Sequence, residues 1–192
     1  MKRLRVTLLM LLGALVLSSC TLVAPNGSPV QIPRSKVRFE LLNPTIPGTN
    51  NARVRFKTQP VYIVDATGQL APSSRIVPTP PALATVIEQL LLGPTFIETS
   101  AGYSSALPTS LVLVSANVHN QVGYVNFATS LNSLPRAKQL LAIGQLVLTA
   151  YDVGATRGIV IKVAGVTQSL LTPSGRHATL VTEGDFQSLL SS

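Results

Sequence analysis

Residues 111–163 read LVLVSANVHNQVGYVNFATSLNSLPRAKQLLAIGQLVLTAYDVGATRGIVIKV, and the change of apolar period along them decides the fold class. Leu111 to Val118 and Val122 to Phe127 are two β-branched, apolar runs separated by His119, Asn120 and Gln121, the pattern of a hairpin. From about Pro135 the period lengthens. Ala137, Leu140, Leu141, Gly144, Val147, Leu148 and Tyr151 form one helical stripe, while Arg136, Lys138, Gln139, Gln145 and Asp152 fall off it and are expected to face solvent. Gly144 sits in the stripe, where a missing side chain lets a helix approach a sheet closely. Gly154 closes the helix, and Gly158 to Val163 is the next strand.

Toward the N-terminus, Thr79 can cap a helix with Pro80 at its first position. Leu83, Val86, Ile87 and Leu90 then recur at i, i+3, i+4 and i+7 until Gly93-Pro94 stops the run. Val61 to Val64 is a short strand ending in the turn residues Asp65, Ala66, Thr67 and Gly68, and Arg53 to Lys57 alternates with the period of another. Toward the C-terminus, Val166 to Leu171, the turn Thr172-Pro173-Ser174-Gly175 and Thr179 to Val181 read as a closing hairpin. The order β-α-β-β-α-β plus a hairpin predicts an α+β fold with two helices on one face of a mainly antiparallel sheet. Both stripes, Leu141 included, are expected in the core.

The chain opens differently. Lys2, Arg3 and Arg5 precede an apolar run from Val6 to Leu17, the layout of a signal peptide over residues 1–19. As a helix that run would reach about 18 Å, against a hydrocarbon core of about 30 Å, so it is too short to span. Leu17-Ser18-Ser19-Cys20 resembles a lipobox, which makes Cys20 the expected lipidation site and first mature residue. Cys20 is also the only cysteine, which excludes disulfides and thiolate metal sites. Residues 20–51, rich in Pro, Asn, Gly and Ser, make a poor core and are expected to be a tether; residues 52–192 are the expected domain. The chain is thus expected on the extracytoplasmic face of the cell membrane, held by its lipid.

The formal charge of +8 suggests nucleic acid, but its distribution does not. Three positive charges belong to the signal peptide, residues 34–57 carry a net +5, and from residue 58 onward six cations meet six carboxylates. No nucleic-acid partner is expected. A basic stretch behind a lipid anchor can lie on anionic headgroups, each Lys or Arg adding about 1 kcal/mol.

Chemistry is sparse. Ser104 lies in Gly102-Tyr103-Ser104-Ser105-Ala106, which lacks the second glycine of a nucleophile elbow. His119 and His177 fall in turns. Asp65 and Asp152 could pair as acid and base, but one ends a strand and the other a helix, where turn and capping roles are commoner. No ligand spacing for a metal and no Gly-rich phosphate loop is present, Gly27, Gly48 and Gly68 standing alone. No catalytic residue, cofactor or metal is expected. Two classes remain: an envelope interaction module that binds a protein partner or its own kind, or a cell-wall-directed enzyme or small-ligand binder using Ser104, His119 or His177. Gathering of those three in one pocket would favour the second.

Several ordered motifs carry a family likeness. Val61-Tyr62-Ile63-Val64-Asp65 with Gly68, Leu90-Leu91-Leu92-Gly93-Pro94 with Glu98, and Gly102 to Pro108 resemble the GerMN domain of sporulation and spore germination proteins. Gly123-Tyr124-Val125-Asn126-Phe127, Ala142 and Gln145-Leu146-Val147 continue the resemblance over roughly residues 58–165. Asn126 stands where an Asp is common in that family. The resemblance implies a βαββαβ fold and a non-catalytic role in extracytoplasmic assemblies, with a likeness to ring-building modules, and it does not imply sporulation.

Overall fold

The computed structural model describes residues 54–191; the expected signal peptide, Cys20 and the tether lie outside the described residues, as do Ala52 and Arg53. The first element is a hairpin. β1 (Phe56–Val64) and β2 (Leu70–Pro78) pair antiparallel, from Phe56 opposite Pro78 to Val64 opposite Leu70. The two short strands expected at 53–57 and 61–64 are therefore one strand, and β2 was not expected. Prolines hide both facts in the sequence. Asp65 N–H donates to Gln69 O at 2.8 Å and Thr79 N–H to Arg55 O at 2.8 Å, so the odd-numbered positions form the hydrogen-bonded pairs. Pro60, Pro72 and Pro78 all fall at even positions, where no ladder bond is lost.

α1 (Leu83–Leu91) buries Leu83, Val86, Ile87 and Leu90, the stripe read from the sequence. It begins later than expected, with Ala82 at the cap, because Thr79 continues the β1–β2 ladder. α2 (Phe96–Ser100), also unexpected, starts at a capping box made by Thr95 and Glu98. β3 (Leu113–His119) and β4 (Val122–Phe127) form the expected hairpin, turning through Asn120 and Gln121 at φ 50° and 64°. α3 (Arg136–Tyr151) then crosses over, and β5 (Gly158–Val163) lies parallel to β4. β6 (Val166–Thr167) folds back on β5, completing a four-stranded sheet in the order β3-β4-β5-β6. α1 and α3 pack on each other and on β1, and reach β3 and β5 respectively. The α+β class holds, with the strands divided between separate sheets and one parallel pair.

The C-terminal hairpin is β7 (Leu170–Leu171) with β8 (His177–Ala178); its second arm starts at His177, and Val181 bridges to Ile159 instead. α4 (Glu183–Phe186) and a 3-10 turn (Gln187–Leu189) follow, with α4 packed on α3. That packing corrects the expected amphipathic helix. Every residue from Ala142 to Ala150 is buried, as in a helix covered on all sides. Ala137 is exposed and Leu141 only half-buried, so the core centres on Ile143, Leu146 and Val147. Gly144 does mark a close approach: a Cβ there would sit 2.7 Å from Leu70 Cδ1 and 3.2 Å from Phe186 Cδ1, so β2 and α4 are the neighbours it admits.

Candidate functional site

Several of the residues that carry the family likeness meet around the outer edge of β1. Tyr62 N–H donates to Thr149 Oγ1 at 3.0 Å, and Gln145 Nε2 donates to Tyr62 O at 2.8 Å. Gln145 Oε1 accepts from Ala106 N–H at 2.8 Å. One buried carboxamide on α3 thus joins β1 to the Gly102–Pro108 loop, although the periodicity assigned Gln145 to solvent. Its only sequence signal is its place inside a motif. Ser104 and Val64 extend the join through two backbone hydrogen bonds of 2.9 and 2.7 Å. Gln59 donates to Asp152 O at 3.0 Å near the other end of β1.

A second polar cluster positions α2. Arg75 Nη1 and Nη2 each donate to the Glu98 carboxylate at 2.9 Å, and Nη2 also donates to Gly93 O at 3.0 Å. Ser73 donates to the same carboxylate. The Arg75 guanidinium first, with Ser73 and Thr95 adding and burial opposing, holds the Glu98 carboxyl down to about 2. The clamp is mostly shielded, with side-chain exposures of 9% for Arg75 and 17% for Glu98. Beside it the apolar side chains stand outward. Phe96 is 86% exposed, Ile97 79% and Leu92 76%, the highest values among the exposed large hydrophobic residues described. Alongside runs a groove of about 510 Å³ lined by Leu91, Pro94, Tyr103, Ser104, Leu107 and Lys138 among others. Its walls are the Leu90–Pro94 and Gly102–Pro108 motifs.

The candidate catalytic residues do not meet. Ser104 bridges Val64, His119 closes the β3–β4 hairpin opposite Val122, and His177 pairs with Leu171. The groove beside Ser104 is lined by neither histidine. Asp65 is a turn residue: its Oδ1 accepts from Thr67 N–H at 2.8 Å, Thr67 Oγ1 at 2.7 Å and Gln69 N–H at 3.0 Å, which lowers its pKa. The Asp65 carboxylate is taken up by its own turn, while Asp152 accepts from Gln59 through its backbone O and from the Tyr62 hydroxyl through its carboxylate, so each carboxylate has other partners. The Asp152 carboxyl is pushed up, by partial burial first and by the Glu183 charge, while the Tyr62 hydroxyl opposes. Asn126 Oδ1 accepts from Gly165 N–H at 2.9 Å, a bond an aspartate could equally accept. Among the described residues no group of three or more His, Cys, Asp and Glu side chains is placed to hold a metal, and no helix is long and apolar enough to cross a membrane.

An α+β module in which several motifs meet at one strand edge and two of them line one groove is the class defined here. The family model Germane, described as sporulation and spore germination, matches residues 60–169, and the chain belongs to that family. Its fold is similar to the tandem GerMN domains of the sporulation protein GerM from Bacillus subtilis, at TM-score 0.53 and 11% identity over 68% of this chain; the chain spans 48% of that structure. The first GerMN domain of the same protein aligns over 66% of this chain and 95% of its own length, at 13% identity and TM-score 0.46. A Clostridium perfringens protein described as a lipoprotein aligns over 72% of this chain and 93% of its own, at 12% identity and TM-score 0.44. No curated protein matches the chain.

Proposed function

We propose that this is a membrane-anchored extracytoplasmic lipoprotein whose GerMN domain is a non-catalytic interaction module, docking an envelope protein through Leu92, Phe96, Ile97 and the adjoining groove. The exposure of those three residues within six positions carries the reading, because large apolar side chains held outward on a fixed element mark contact surfaces. The Arg75–Glu98 clamp supports it by fixing α2 before any partner arrives. Anchoring rests on Cys20 and the segment before it: two acyl chains at about 0.8 kcal/mol per buried methylene hold a protein on a bilayer, where one gives reversible binding.

Two experiments test the proposal. Cys20→Ala is expected to release the protein from the membrane or block its maturation; normal maturation and persistence in a salt-washed membrane fraction would refute the anchor. A photo-crosslinking residue at position 96 is expected to give a discrete adduct in intact cells and one at position 119 none. Equal adduct patterns at both positions would refute the docking surface.

A further inference from the structure

We infer that the open end of the β1–β2 hairpin is a second, non-covalent membrane contact, seating on an anionic phospholipid surface with Phe56 and Ile76 at the headgroup–acyl boundary and Arg55 and Lys57 among the phosphates. Phe56 is 63% exposed, Ile76 74% and Val54 63%. The register places Phe56 opposite Pro78 and Ile76 opposite Thr58, so the two large side chains share one sheet face as near neighbours. That face of the hairpin carries no charged residue at any paired position, unlike an ordinary solvated strand face. Arg55 and Lys57, both exposed, flank Phe56 in sequence and stand on the other face of the ribbon at its open end, from which long cationic side chains reach phosphates while Phe56 and Ile76 face the acyl boundary. Aromatic and aliphatic side chains bracketed by cations are the composition of an interfacial anchor.

Charge complementarity selects the partner. In sequence, Arg53, Arg55 and Lys57 bring three cations to the entry of β1 while the chain from residue 58 onward is balanced, so attraction to an anionic surface favours this end of the domain. An anionic wall polymer would satisfy Arg55 and Lys57 but gives Phe56 and Ile76 no hydrocarbon to enter. The Leu92, Phe96 and Ile97 cluster is more exposed, but it lacks flanking cations in sequence, which separates the two surfaces by function. The inference shares with the lipoprotein reading only the nearness of a bilayer, and an unacylated chain tests it separately.

The chain has no tryptophan, so a single replacement is a clean reporter. The buried core runs from Val61 to Phe186, so a protein starting at residue 20 with Cys20→Ser keeps all of it. In that background Phe56→Trp is expected to shift its emission to the blue, and to be quenched by brominated acyl chains, on phosphatidylcholine vesicles containing phosphatidylglycerol but not on phosphatidylcholine alone. Adding Ile76→Asp, or Ile76→Ser if the first lowers the melting temperature, should weaken partitioning about tenfold, and about 0.5 M salt should do the same. Phe96→Trp should keep the emission of water-exposed indole. An unshifted Phe56→Trp on phosphatidylglycerol vesicles, or an equal shift at position 96, overturns the inference. So does binding to a soluble anionic polymer with none to vesicles.

Discussion

Glu98 illustrates how one residue serves fold and surface together. Its carboxylate accepts from Arg75, from Ser73 and from the Thr95 N–H at the cap of α2, and its pKa of about 2 lies below the ordinary 4.5. A depressed carboxyl pKa adds stability that is fully present above the unfolded-state value and is lost as pH falls through the folded-state value. Glu98→Gln should therefore lower the melting temperature most above about pH 4.5, with the gap to the parent closing toward pH 2. A gap constant across that window would show that the charge contributes nothing. The capping signature Thr95-x-x-Glu98 stands in the sequence, but the five-residue helix behind it is too short to show a period, and α2 was not expected. Nor was the role of Arg75, because its partner lies 23 positions away and its neighbours read as loop. Gln145 is the harder case. A polar residue next to a helical stripe reads as solvent-facing, and only the tertiary arrangement places Tyr62 O and Ala106 N–H within its reach. Gln145→Leu leaves the buried Ala106 N–H and the part-buried Tyr62 O without this partner and should cost about 2–6 kcal/mol in denaturant unfolding, each unmet group accounting for about 1–3. A loss under about 0.5 kcal/mol would mean that water replaces the amide.

At the scale of elements, what periodicity could see was seen. α1 and the β3–β4 hairpin repeat with clean periods, and the structure keeps both. β2 escaped because Pro72 and Pro78 argue against a strand until the register shows that neither sits at a hydrogen-bonding position. α4, at four residues, is too short to have a period, yet its packing turns α3 from a surface helix into a central one. Leu146→Ala should accordingly cost about 2–5 kcal/mol, while Leu141→Ala, at a half-buried position, should cost less. Gly144→Ala tests the contact with Leu70: the added methyl should cost about 1–3 kcal/mol in spite of alanine's better helix propensity. A stabilised Gly144→Ala protein would show that β2 and α4 yield easily.

For the whole molecule, element order sufficed for the α+β class, because a chain that alternates strands and stripes in this order has few ways to bury both. The surface was less legible. The motif residues Leu91, Pro94, Tyr103 and Leu107 lie apart in sequence and meet only when Ser104 pairs with Val64, and nothing local marks Phe96 and Ile97 as outward-facing. Two exposed apolar surfaces result: the hairpin end at Phe56 and Ile76, which we propose meets lipid, and the cluster at Leu92, Phe96 and Ile97, which we propose meets protein. The central claim is that the second does the work in the cell and that Ser104, His119 and His177 do no chemistry. Comparing two variants in a host lacking the native gene tests it most directly. Phe96→Ser with Ile97→Ser should fold with an unchanged melting temperature and fail to complement, whereas Ser104→Ala with His119→Ala and His177→Ala should complement fully. A double variant that complements, or a folded triple variant with the phenotype of the deletion, would contradict the account.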